Sequence, residues 1–154
     1  MRRLWAVGTA AAIVTGAAVP AFGAGKSTVP VGSMPKGDAV LIAGARRYEL
    51  QVATTPAQQR LGLGDRLRVP ASSGMLFVFR SSGPRCLWMK GMRFALDMIW
   101  LSPADKVISL QEDVPVKAPV YCAVAEDLVE LDAGQAQVAG IRVGRLLKLE
   151  MPAV

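Results

Sequence analysis

Two acidic residues stand inside apolar runs: Asp97 in residues 94–101 (FALDMIWL) and Glu130 in residues 128–131 (LVEL). Burying an ionised carboxylate alone costs on the order of several kcal/mol, so each must be paired, hydrogen-bonded or protonated. Two bases fall where they can answer that need. Arg60 lies near the C-terminal end of a predicted helix, and Lys90 lies in the turn leading into the Asp97 strand. The expected arrangement is an ionised Asp97 paired with Arg60, or otherwise with Lys90, with Glu130 as a further member of the network.

Four uses of these residues compete. In the architectural one, Arg60, Asp97 and Glu130 fix the helix on the sheet. In the binding one, Asp97 and Lys90 face a cleft, Trp88 forms a stacking wall and Arg60 contacts an anion or a hydroxyl. A hydrolase would use Asp97 and Glu130 as a general acid/base pair on envelope glycan or amide, with Lys90 or Arg60 stabilising negative charge. No serine elbow, histidine or glycine-rich phosphate loop accompanies that pair. A Cu(I) site would draw on Met75, Met89, Met92 and Met98 with Trp88 as a cap, against the ordinary use of Met as core filler. The reading that follows is a non-catalytic binding or scaffold module with neither metal nor cofactor.

The elements that must carry these groups are mostly short strands. Residues 46–53 (RRYELQVA) alternate, with Tyr48, Leu50 and Val52 on one face. Thr55-Pro56-Ala57-Gln58 supplies an N-cap, a Pro at the first helical position and a capping-box Gln, opening a helix that ends by Gly62 or Gly64. Residues 75–79, 87–89, 94–101, 106–110, 128–131 and 146–151 read as strands, separated by turns such as Ser81-Ser82-Gly83-Pro84 and Ala133-Gly134. This pattern predicts a mainly β fold, an antiparallel β-sandwich or small barrel with one or two short helices. In residues 94–101, period two puts Leu96, Met98 and Trp100 on one face and Asp97, Ile99 and Leu101 on the other.

The N-terminus has the three parts of a secretory signal: Arg2-Arg3, an uncharged run over residues 4–19, and small residues at Ala21 and Gly23. Cleavage after Gly23 is expected, then a flexible leader over residues 24–38 and one domain over residues 39–154. Export to the periplasm or the extracellular space follows, with no stable membrane anchor after processing. The two cysteines, Cys86 and Cys122, are then expected to form a disulfide. With no His and no CxxC, neither an ordinary zinc site nor a thioredoxin-type redox site can be built. The formal charge of +6 is spread along the chain, which argues against nucleic acid as a partner and leaves a small molecule or an envelope polymer.

Six blocks, in order, resemble the DUF192 family: Gln59-Arg60 with Gly62-Leu63 and Asp65-Arg66; Gly74-Met75-Leu76-Phe77; Trp88-Met89-Lys90; Leu96-Asp97-Met98-Ile99; Leu128-Val129-Glu130-Leu131 with Ala133-Gly134; and Gly140-Ile141 with Gly144. The resemblance implies a mainly β, sandwich-like fold in a family whose members are often exported and whose biochemical role is open. The chain departs from the family pattern at Gly62-Leu63-Gly64, where GLM is common. It departs again at Gly91-Met92, where a polar pair such as Asn-Thr commonly follows Trp-Met-Lys.

Overall fold

The computed structural model describes residues 37–151. The expected signal peptide and all but Gly37 and Asp38 of the expected leader lie outside the described residues. Seven strands and two short helices follow in order: β1 (Ala39–Ala43), β2 (Arg46–Ala53), α1 (Pro56–Leu61), β3 (Ser73–Leu87), β4 (Leu96–Leu101), β5 (Val107–Val114), β6 (Tyr121–Asp132), α2 (Gln135–Ala139) and β7 (Lys148–Glu150). They form one sheet in the order β5-β4-β6-β3-β2-β1-β7. The sheet curls until its two edges approach, where Lys106 bridges Leu146, and Val107 donates to the Arg145 carbonyl at 2.9 Å and accepts from the Gly144 amide at 2.8 Å. The expected mainly β fold is borne out as a half-closed barrel.

Alternation along the strands sorts the core into two layers. The inner face of the curl collects residues from every strand, among them Leu41, Leu50, Leu76, Ile99, Val107 and Leu131, and is closed by Ala136, Ala139 and Ile141 of α2 and its exit. The outer face buries Phe77, Leu96, Met98, Trp100 and Leu128 under connecting segments that contribute Leu63, Val69 and Met89. Trp100, almost fully buried, donates its indole N–H to the Arg85 carbonyl at 3.0 Å, which satisfies its polar atom inside that layer.

Three local expectations change. β2 and β3 pair in parallel, Leu50 opposite Gly74 and Val52 opposite Leu76, whereas an antiparallel sheet was expected. Residues 54–72, with α1 inside them, are long enough for the crossover that such a pair needs. The stretch Ser81-Ser82-Gly83-Pro84 is an irregularity within β3 instead of a turn. Pairing with β6 shifts register between Val78 and Gly83 and resumes through Leu87 opposite Tyr121. Pro84 is tolerated because this stretch of β3 has left the body of the sheet and forms a ribbon with β6 alone. Finally, β1 and α2 add elements that periodicity alone does not single out, and Trp88-Met89 lies beyond the end of β3.

Candidate functional site

Asp97 and Glu130 face opposite ways. Across the β4–β6 ladder Asp97 is opposite Leu131, and Met98 is opposite Glu130. With side chains alternating, Asp97 therefore enters the inner layer and Glu130 the outer one. The alternative acid/base pair of a hydrolase is overturned by this register, since the sheet itself separates the two carboxyl groups.

Asp97 is fully buried, and backbone amides satisfy it. Its Oδ1 accepts from Asp113 N at 2.9 Å and Gly134 N at 3.2 Å, and its Oδ2 accepts from Ala136 N at 2.7 Å. Local backbone geometry presents these donors. Asp113 has φ 51° where β5 slips register against β4, and Gly134 has φ 81° as the N-cap of α2. Both lie in the left-handed region, which Gly adopts freely and Asp more readily than most residues. The expected ion pair with Arg60 or Lys90 is not formed. Among the described residues the ion pairs are Arg47–Glu150 and Lys148–Glu150. Asp97 thus ties β4 to the β5 slip and to the start of α2.

Glu130 is 4% exposed, and its Oε2 has no hydrogen-bond partner among the described residues. Its cross-strand neighbours are Met75 on β3 and Met98 on β4. The C-cap Gly62 of α1 lies over the carboxyl, where a Cβ would stand 3.6 Å from Oε2 and 3.5 Å from the Phe77 ring. The groups packed against the carboxyl from the sheet and the end of α1 are thus neutral, and burial pushes its pKa up to about 8. Near neutral pH Glu130 is mostly the neutral acid, a donor and an acceptor together.

Above it opens a small pocket of about 40 Å³, lined by Arg60, Gly62, Phe77, Trp88, Lys90 and Glu130, with Gln59, Leu61, Leu63, Cys86, Leu87 and Met92. α1 is placed here by its ends. Thr55 and Gln58 form the expected capping box, Pro56 opens the helix and Gly62 closes it with φ 52°. Gln59 reaches from the helix to both sides of the parallel pair, donating to the Ala53 carbonyl at 3.3 Å and the Val78 carbonyl at 3.0 Å. Arg60 therefore stands at the rim, exposed, beside exposed Lys90 and a Trp88 that is 45% exposed.

The Cys86–Cys122 disulfide, S–S 2.11 Å, joins two residues that face each other across β3 and β6. Cross-linking a separation of 36 residues stabilises the fold by about 3–4 kcal/mol. It also anchors the end of β3 two residues before Trp88. Of the Cu(I) candidates, Met75, Met89 and Met98 are buried in the outer layer, and Met92 packs against it.

Of the sequence-predicted site residues, the structure brings Arg60, Trp88, Lys90 and Glu130 to one pocket and leaves Asp97 on the other side of the sheet. The sequence reading missed Gly62 as the lid over the acid and Glu130 as the floor of the pocket. The apolar alternation around Glu130 held the signal for the second, and strand register decides between the two acids.

A curled-sheet β domain with an outward pocket over a buried acid is the class that this fold and site define. Residues 39–149 match the family model DUF192, described as "Uncharacterized ACR", and the chain belongs to that family. No curated protein matches it. Two crystal structures are similar. One is a Sinorhizobium meliloti protein provisionally described as a transcription regulator, 28% identical with TM-score 0.65, covering 77% of this chain and 95% of that one. The other is a protein of unknown function from Novosphingobium aromaticivorans, 22% identical with TM-score 0.67, covering 88% of this chain and 99% of that one, a likeness of fold.

Proposed function

We propose that this protein is an exported, non-catalytic binding module of the cell envelope, and that the pocket over Glu130 is its ligand site. The carrying observation is a buried carboxyl oxygen without a protein partner at the floor of an open pocket rimmed by two cations and an indole. Buried polar groups are normally satisfied within the fold, and one left free in a pocket is available to a ligand. A hydrolase built on Asp97 and Glu130 loses its pair to the register. The basic, apolar N-terminal sequence and the disulfide both favour an oxidising compartment outside the cytoplasm.

Regulation of transcription, as provisionally described for the S. meliloti protein, draws no support from the two helices among the described residues. α1 has six residues and α2 five, too short to act as recognition helices in a DNA groove. The test is fractionation followed by co-sedimentation. Protein from the envelope fraction should have the intact mass expected after removal of about 23 residues. It should sediment with purified envelope polymer, and Trp88→Ala should weaken that binding. Full-length protein confined to the cytoplasm, or sedimentation indifferent to Trp88, overturns the reading.

A further inference from the structure

We propose that the pocket recognises a carboxylated sugar, seating the ligand's carboxylate between Arg60, Lys90 and Glu130 while the sugar ring lies on the Trp88 indole; this rests on the binding reading above. The argument starts from size. A pocket of about 40 Å³ has room for a few waters or one functional group, not a pyranose ring. A ligand therefore inserts one group and leaves the rest outside, where the exposed indole of Trp88 is the large flat surface at the rim. An indole face packs against the C–H face of a sugar, with the ring hydroxyls left in water.

Charge selects the inserted group. Arg60 and Lys90 line the same pocket, and neither has an ion-pair partner among the described residues. Two unneutralised cations favour an anion, and a guanidinium matches a planar carboxylate through paired N–H donors. Glu130 would oppose an anion if it were ionised, but the groups packed against it from β3, β4 and the C-cap of α1 are Met75, Phe77, Met98 and Gly62, all uncharged, while the charged groups that share its pocket, Arg60 and Lys90, stand out at the exposed rim. Held neutral by burial, its carboxyl group can donate a hydrogen bond to a carboxylate oxygen that reaches the floor of the pocket. An acid floor with a basic rim thus suits an anion near neutral pH and repels it once Glu130 ionises.

The experiment titrates the disulfide-bonded protein, observed by amide NMR shifts and Trp fluorescence, with glucuronate, glucuronamide, glucose and glucosamine. Glucuronate should bind at least about tenfold more tightly than glucose or glucuronamide, the scale of one charge-assisted contact. Arg60→Ala and Lys90→Ala should each erode that preference about tenfold; both residues are exposed, so the variants should fold. Glu130→Gln should retain glucuronate binding at alkaline pH, where the wild-type protein loses it. Equal affinities for the four sugars, tightest binding of glucosamine or no shifts at residues lining the pocket would each overturn the proposal. If the protein still sediments with envelope polymer through Trp88 in those cases, the binding-module reading stands and only the ligand class fails.

Discussion

Asp97 and Glu130 are buried to a similar degree on adjacent strands, one register step apart. Three backbone amides converge on the first, drawn from a slip in β5 and from the start of α2. One oxygen of the second receives no donor, and apolar side chains with a glycine surround it. Burial alone therefore does not tell an acid that anchors the fold from one the fold leaves unsatisfied. What separates them is the supply of fixed donors: where the fold provides them the carboxyl group holds the architecture together, and where it does not an oxygen is left without a partner.

The sharpest way to break this contrast is Asp97→Ala. Each stranded amide costs about 1–3 kcal/mol, so the loss of all three should total about 4–5 kcal/mol after partial rescue by water. Urea denaturation measures it, and a loss below about 1 kcal/mol would remove Asp97 from the architecture.

The second test uses pH. The folded pKa of Glu130, about 8, lies above its ordinary value of 4.5, so between these values the native state holds a proton that the unfolded chain has released. Stability from this group is therefore full below about pH 4.5 and falls by about 1.4 kcal/mol per pH unit as pH rises toward 8, then levels off. Glu130→Gln should flatten that slope and be the more stable protein at about pH 8. Identical pH profiles for the variant and the wild type would falsify the assignment.

The smallest effect concerns Arg60. As a rim residue without an ion pair, its change to Ala should cost less than about 0.5 kcal/mol and add independently to the Asp97→Ala loss. A coupling above about 1 kcal/mol in the double-mutant cycle would restore the network that the sequence suggests.

Local rules carried the sequence reading a long way. The capping box at Thr55 and Gln58, the stop at Gly62, the two faces of β4 and the cysteine pair all depend on residues close in the chain or on simple parity. What escaped depends on long-range choices. Nothing near Asp97 announces that its partners lie at 113, 134 and 136, because main-chain amides leave no mark in a sequence. Likewise, Ser81-Ser82-Gly83-Pro84 has the composition of a turn and acts as a bulge, since tertiary pairing with β6 holds both of its flanks. The pocket was half legible. Arg60, Trp88, Lys90 and both acids fall within blocks that also mark the family, but which acid lies beneath the other three follows from register, which alternation within one strand does not fix.

The meeting of the sheet's edges has a consequence for how the protein behaves in a crowd. An open sheet invites a neighbour's strand to add to its border, the first step toward aggregation. Here one border, β7, is three residues long and carries the Lys148–Glu150 pair, 2.8 Å apart. The other, β5, begins with backbone bonds to Arg145 and Gly144 and slips register near Asp113. Even the protruding ribbon carries Pro84, which has no N–H to offer. These features interrupt the runs of free donors and acceptors along the borders on which a second chain could template.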